Sequence, residues 1–412
     1  MALDHSRGLP SPGEFKAEAA RWLSEHADLR RGGGSWTPRD DGWGVGSDRV
    51  GTYDAHDDLE IRARLDAERE WQRVKFEHGF GALTWPTEYG GRDLPAAYQR
   101  IFDGEEARYD VAAPEETMRI SLYFVTPTVR LFGTPEQRAQ FIDPLLRGDD
   151  LACLLLSEPD AGSDLASLRT QAVPKEGGWT IDGQKVWSSG TRFCDYGLTL
   201  ARTGAASETA HGKLTAFLLP VDLPGVEVRP IRQMTGQAYF HEVHLAGVEV
   251  ADEFRLGAVD QGWRVVMTAM AIDRVDAGGG GRELRRMHSL LGSFARRNGL
   301  SGDPLIRQEL ARAYPSIHQL GLLYDQVNQS VGSSSVGPSG SLLKLAWAQA
   351  STEVGELAGR LLGPRLLADT DEWGTYAWAS HILGAPAIHL GGGTDEIQRN
   401  VLAHEILRLP KR

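Results

Sequence analysis

Three glycines run directly onto a helix start in Gly391-Gly392-Gly393-Thr394-Asp395-Glu396-Ile397-Gln398-Arg399. A turn without side chains exposes backbone N–H groups, and the dipole of the following helix adds positive potential. The segment therefore suits an anion, or an oxygen that gains negative charge during a reaction. Asp395 as N-cap, with Gln398 three residues on, has the spacing of a capping box. A well-capped helix that binds nothing accounts for the same residues.

Two further segments have donors and aromatics at the right places for a polar ring. Ser157-Glu158-Pro159-Asp160-Ala161-Gly162-Ser163-Asp164 follows the apolar run Leu154-Leu155-Leu156, which reads as a buried strand. Its two hydroxyls and free N–H groups can meet a heterocycle, or form an ordinary turn capped by Ser163 and Asp164. Lys185-Val186-Trp187-Ser188-Ser189-Gly190 places an indole and two hydroxyls at a strand end. The indole can stack on a ligand or fill a core. A candidate base lies in Trp263 to Arg274, where Val266, Met270 and Asp273 share one helical face. Desolvation raises the pKa of a carboxylate in such a stripe toward a value useful for proton abstraction. The neighbouring Arg274 is a candidate substrate contact, or forms a local charged pair with Asp273.

These segments need elements to position them. Phe15, Ala19 and Trp22 form an amphipathic stripe, and Thr134-Pro135-Glu136-Gln137 is a strong helix start. Between them lie a Gly-rich interruption, Arg31 to Ser35, and a loop to about Asp58. From Leu151 the period becomes strand-like. Asp182-Gly183, between Trp179–Ile181 and Gln184–Trp187, reads as a hairpin turn. Further short apolar runs follow to Leu245. After Gly257 the helical period returns over Trp263–Arg274, Glu283–Asn298, Ile306–Ser330 and Leu342–Leu362, with a Gly/Ser linker at Val331–Gly340. Gly278–Gly281 breaks a helix, or widens a pocket wall by removing side chains. Bunched strands between helical regions give an α+β fold. Its domains are an N-terminal helical domain (1–150), a middle antiparallel β domain (151–257) and a C-terminal four-helix bundle (258–412).

In order and spacing, these motifs resemble the acyl-CoA dehydrogenase family over nearly the whole chain. Trp85-Pro86-Thr87-Glu88-Tyr89-Gly90-Gly91 and Ser341-Leu342-Leu343-Lys344-Leu345 belong to the same resemblance. It implies non-covalent FAD and removal of an acyl-thioester α-proton with transfer of a β-hydride to flavin N5. By position, Leu154, Leu156 and Ser157 would border the flavin, Trp187 would lie along its ring, and Ser189 would sit near N5. Thr394 and Glu396 would approach its phosphates and ribose, and Ser163 the pantetheine or phosphates of CoA. The family's usual catalytic glutamate is replaced by Gly392, which keeps an N–H for the developing oxyanion but has no carboxylate. Asp273 matches the alternative place from which isovaleryl- and long-chain-type dehydrogenases supply their base. The common Arg-x-x-Phe-Gly segment, which binds FAD across subunits, has no counterpart here. Implied partners are an acyl thioester on CoA or a carrier protein, electron-transfer flavoprotein as acceptor, and a homotetramer or a heterotetramer with a paralogue. Two alternatives on this scaffold are a non-redox lyase of the desulfinase type and a non-catalytic subunit of a heteromeric dehydrogenase.

Composition agrees with such an enzyme. The chain of 412 residues is 41% hydrophobic and 24% charged, which is globular rather than disordered. A net charge of −12 argues against a nucleic-acid surface. No apolar stretch is long enough for a bilayer, and Met1 to His5 lacks the pattern of a signal peptide, so the cytoplasm is expected. Cys153 and Cys194 read as buried thiols rather than a disulfide or a metal site.

Overall fold

The computed structural model describes residues 9–29, 58–112, 114–204, 211–273, 280–330, 338–368 and 377–410. Six helices come first: α1 (Pro12–His26), α2 (Asp58–Glu77), α3 (Ala96–Glu106), α4 (Glu116–Ile120), α5 (Thr126–Phe132) and α6 (Pro135–Arg147). The stripe of α1 buries Phe15, Ala19 and Trp22 against Phe80, Leu83, Tyr98 and Phe102. Each large side chain so buried contributes about 1.5–3 kcal/mol. Thr134 caps α6 as its sequence requires, with Thr134 and Gln137 exchanging side chain-to-backbone bonds. The Gly-rich interruption and the loop to Asp58 lie almost wholly outside the described residues.

Eight strands follow: β1 (Ala152–Leu155), β2 (Gln171–Lys175), β3 (Gly178–Ser189), β4 (Tyr196–Arg202), β5 (Leu214–Pro220), β6 (Val226–Ile231), β7 (Phe240–Ala251) and β8 (Arg255–Leu256). They form one sheet in the order β6-β7-β3-β2-β4-β5-β8, with β1 beside β4. The sheet is antiparallel except that β1 runs parallel to β4, and β2 touches β4 at one parallel pair. The long excursion through β2 and β3 is what lets β1 and β4 point the same way.

The expected hairpin at Asp182-Gly183 is not there. Residues 178–189 are one continuous strand, and the chain reverses at Glu176-Gly177, where Gly177 has φ +75°. Gly183 serves a close approach instead: a Cβ there would come within 2.3 Å of Thr170 Oγ1. Asp182 accepts a bond from the Gly247 N–H (2.6 Å). A register shift between Ile181 and Gly183 absorbs the crowding as a β-bulge.

The helices α7 (Gly262–Asp273), α8 (Gly280–Arg297), α9 (Pro304–Ser330), α10 (Ser339–Leu362), α11 (Ala377–Leu390) and α12 (Asp395–Val401) complete the chain. Three of the four long periodic segments, as α8, α9 and α10, enter the bundle. α7 instead packs on the sheet, with Val266 beside Leu156, Leu200 and Leu214. The fourth bundle helix is α11, which joins α8, α9 and α10 around Met287, Ile317, Leu343, Val354 and Trp378. Its uniform apolarity hides any period, and Pro386 within it reads as a breaker. Pro338 to Gly340, read as linker, cap and open α10. Gly280 and Gly281 start α8; Gly278, Gly279 and residues 331–337 lie outside the described residues. Among those described, no helix is long and apolar enough to cross a membrane.

Candidate active site

One cluster of site residues sits where β1 and β3 end. The Val186 N–H donates to the Ser157 carbonyl (2.9 Å), which joins the two strand exits. Leu156 is buried, Leu154 is partly buried against it, and both pack with Val266 and Met270 of α7. Trp187 occupies a second bulge of β3 at φ +63°, and 59% of its surface is exposed. A bulky residue at positive φ costs on the order of 1 kcal/mol or more. Such strain, together with an indole left open to solvent, is characteristic of a surface built for a ligand. Ser188 Oγ behind it is buried with no partner. The hydroxyls of Ser157, Ser163 and Ser189 likewise have none among the described residues.

A buried ion pair that sequence reasoning left unassigned holds this cluster. The Lys185 ammonium donates to the carbonyls of Leu156 (3.0 Å) and Leu200 (2.8 Å) and to Glu158 Oε1 (2.9 Å). Three acceptors use the three hydrogens of an ammonium, so the charged form is the one that fits. Burial pulls the Lys185 pKa down to about 8, against the opposing pull of Glu158. Glu158 also accepts from the N–H groups of Arg169 (2.6 Å) and Thr170 (2.9 Å), pinning the far end of the loop that carries Ser163. Burial would raise its pKa, but Lys185 and these bonds outweigh burial and lower it. The clue in the sequence was a lysine set beside Val186 and Trp187.

The second cluster lies on the bundle. Gly392 and Gly393 adopt φ +66° and +88°, a left-handed turn between α11 and α12. Gln398, fully buried, donates from Nε2 to the carbonyls of Gly392 (2.9 Å) and Gly393 (3.2 Å). Because peptides are planar and trans, the N–H groups of Gly393 and Thr394 then face away from Gln398. Gln398 Oε1 stays buried without a partner. The expected cap is corrected. Thr394 is the N-cap, with Oγ1 accepting from the Ile397 N–H (3.4 Å), and Asp395 is the first residue of α12. Asp395 turns inward because Lys344 needs a partner: Lys344 Nζ donates to Asp395 Oδ1 (2.7 Å) and to the His389 carbonyl (2.9 Å). His389 Nδ1 meets Asp395 Oδ2 (2.8 Å), and its Nε2 meets Thr352 Oγ1 (2.8 Å). Burial raises the Asp395 pKa, yet the bonds from Lys344 and His389 prevail and hold it low. Glu396 is exposed and Thr394 partly so.

Among the described residues, no hydrogen bond or ion pair ties this turn to the β1–β3 cluster. Asp273 closes α7, one turn beyond Met270. Its side chain and the whole of Arg274 lie outside the described residues. A cleft of about 470 Å³ lined by Glu88, Tyr89, Arg138 and Asp143 contains none of the expected site residues.

The family models for the acyl-CoA dehydrogenase N-terminal, middle and C-terminal domains match residues 53–149, 153–248 and 260–407. The chain is 35% identical over 354 residues to the acyl-CoA dehydrogenase IpdE1 of Mycobacterium tuberculosis, covering 84% of this chain and 89% of that one. In fold it is similar to the steroid ACAD Tcur3481-Tcur3483 (TM-score 0.77, 24% identity, 98% and 99% of the two chains). It is also similar to the ChsE4-ChsE5 complex from Mycobacterium tuberculosis (TM-score 0.71, 24% identity, 99% and 100%). A flavin fits what is present: an exposed strained indole, hydroxyls without partners at two strand ends, and an orphaned buried amide oxygen at a glycine turn. This chain belongs to the acyl-CoA dehydrogenase family.

Proposed function

We propose that the protein binds FAD non-covalently and converts an acyl-CoA to its α,β-unsaturated thioester. Leu154, Leu156, Ser157, Trp187 and Ser189 would hold the flavin ring, with Thr394 and Glu396 toward its phosphates and ribose. Ser163 and Arg274 would meet the CoA portion or the acyl group. When bound, the flavin would supply the acceptor for the β-hydrogen and its electron pair, with a redox partner such as electron-transfer flavoprotein as the expected outlet for the electrons. The remaining work is the chain's own. Asp273 takes the α-proton, and the glycine turn offers N–H groups, Gly392 among them, to the carbonyl oxygen as its charge grows.

The observation that carries this reading is the shared packing of Val266 and Met270 with Leu154 and Leu156. It joins the helix that ends in Asp273 to the strand exit that would border the flavin. The similarity to a steroid ACAD puts ring-bearing acyl-CoAs first in a substrate panel. Asp273→Asn keeps the shape but cannot accept the proton. Flavin reduction is expected to fall by about a hundredfold or more while FAD stays bound. An Asn variant that reduces its flavin at the wild-type rate refutes the assignment.

A second reading has one specific support, the glycine at the place of the family's usual glutamate combined with likeness to a two-component complex. The chain would then be one subunit of a heterotetramer whose paralogue supplies the base. Co-expression with such a paralogue should yield a stable mixed assembly, and only that assembly would turn over.

A further inference from the structure

The Gly391–Gly393 turn has no side chains of its own to hold it, yet two charged groups grip it from both sides. Lys344 reaches from α10 to the carbonyl of His389, one of the last acceptors of α11, where a cation suits the helix dipole. The same ammonium bonds Asp395 at the first position of α12, where a carboxylate suits the opposite dipole end. Asp395 then returns to His389 Nδ1 on the α11 side. The side chains of Lys344 and Asp395 are 7% and 12% exposed, so little water competes for these bonds.

We propose that Asp395 is a positioning residue: with Lys344 and His389 it clamps the two helix ends together and fixes the turn whose N–H groups meet the thioester carbonyl. The proposal rests on the reading of that turn given above. The order Asp395–His389–Thr352 has the spacing of an acid–base–nucleophile array. Lys344, however, already neutralises the carboxylate, and the turn's Gly392 and Gly393 carbonyls are tied inward by Gln398. The network therefore holds structure and does not activate Thr352.

The test uses the FAD-bound protein with Asp395→Ala, Asp395→Asn and His389→Phe. Amide hydrogen exchange across residues 390–396 is measured first, without substrate. Asp395→Ala should speed it about tenfold or more, and Asp395→Asn, which keeps an acceptor for Lys344, should restore most of the protection. Anaerobic flavin reduction by a panel of acyl-CoAs follows. The reduction rate constant of Asp395→Ala should fall about tenfold to a hundredfold, with thioester affinity changed less than about threefold, because the donors matter most as charge develops. Unchanged exchange in Asp395→Ala overturns the clamp, and so does a wild-type reduction rate. If Asp395→Ala does not fold, His389→Phe, which removes one arm, decides by the same two readouts. If no thioester reduces the wild-type flavin, the functional reading fails, while the exchange result still decides the clamp.

Discussion

Lys185 and Lys344 are both buried lysines paired with acids, but they stand in very different surroundings. Lys185 lies inside the sheet with no exposure and spends all three hydrogens, one on a β4 carbonyl and one on the Leu156 carbonyl just past β1. Its partner Glu158 collects two backbone N–H groups as well, so the pair ties β1, β3, β4 and a loop into one piece. Lys344 lies at the edge of a bundle, and its partner Asp395 is shared with a histidine at the end of α11. The first pair stabilises a platform that must not move. The second links the end of α11 to the start of α12 on either side of a short glycine turn. The same ion-pair chemistry thus ties strands together in one region and, under the clamp proposed above, holds a turn between two helix ends in the other.

Breaking the first pair should have the largest effect on stability. Lys185→Met leaves Glu158 buried and unpaired and strips two carbonyls of a donor, at a cost of about 3–5 kcal/mol. Thermal unfolding of the FAD-bound protein should show a deep fall in Tm, with flavin released. Lys344→Met should cost less, about 1–3 kcal/mol, since its partner keeps His389 and lies nearer to solvent. Flavin reduction should suffer more in that variant than its stability does. Equal Tm losses in the two variants would dissolve the contrast.

The pH response sharpens it. Burial holds Lys185 at about 8 in the folded chain, whereas an unfolded lysine keeps its proton to about 10.4. Between these values the unfolded state binds more protons, so this group makes stability rise with pH. The Tm difference between the wild type and a Lys185→Met, Glu158→Gln double variant should shift in favour of the wild type across that window. A flat difference would contradict the assignment. In the opposite direction, Asp395 has a lowered pKa, so its stabilising share is complete above about pH 4 and disappears as acid protonates it. The smallest effect belongs to Thr394→Ala, which removes one long cap bond and should cost about 0.5–1 kcal/mol by chemical unfolding.

What the sequence revealed follows from the range of each interaction. Local signals were faithful: the α1 stripe, the Thr134 cap and the succession of helices, strands and helices are visible in short windows. Asp182-Gly183 misled because a glycine that admits Thr170 from a neighbouring segment looks the same as a glycine that makes a turn. Asp395 misled for a related reason. Its spacing from Gln398 satisfies a capping box, but Lys344, on a helix far earlier in the chain, is the stronger partner. α11 escaped notice because a helix apolar on every side has no period to detect. The segments that carry the candidate site residues are legible in short windows, yet the two ion pairs beneath them emerge only when segments distant in sequence are brought together.

The proposal of an FAD-dependent acyl-CoA oxidation, with Asp273 of α7 as base and the glycine turn as oxyanion donor, stands or falls on what the flavin does with substrate. The most direct measurement is anaerobic titration of the purified, FAD-loaded protein with acyl-CoAs, ring-bearing ones included, while following the flavin's visible absorbance. Stoichiometric bleaching by at least one thioester is expected, with recovery of the matching α,β-unsaturated product. A flavin that binds the thioesters, as judged by spectral perturbation, but is bleached by none of them would contradict it.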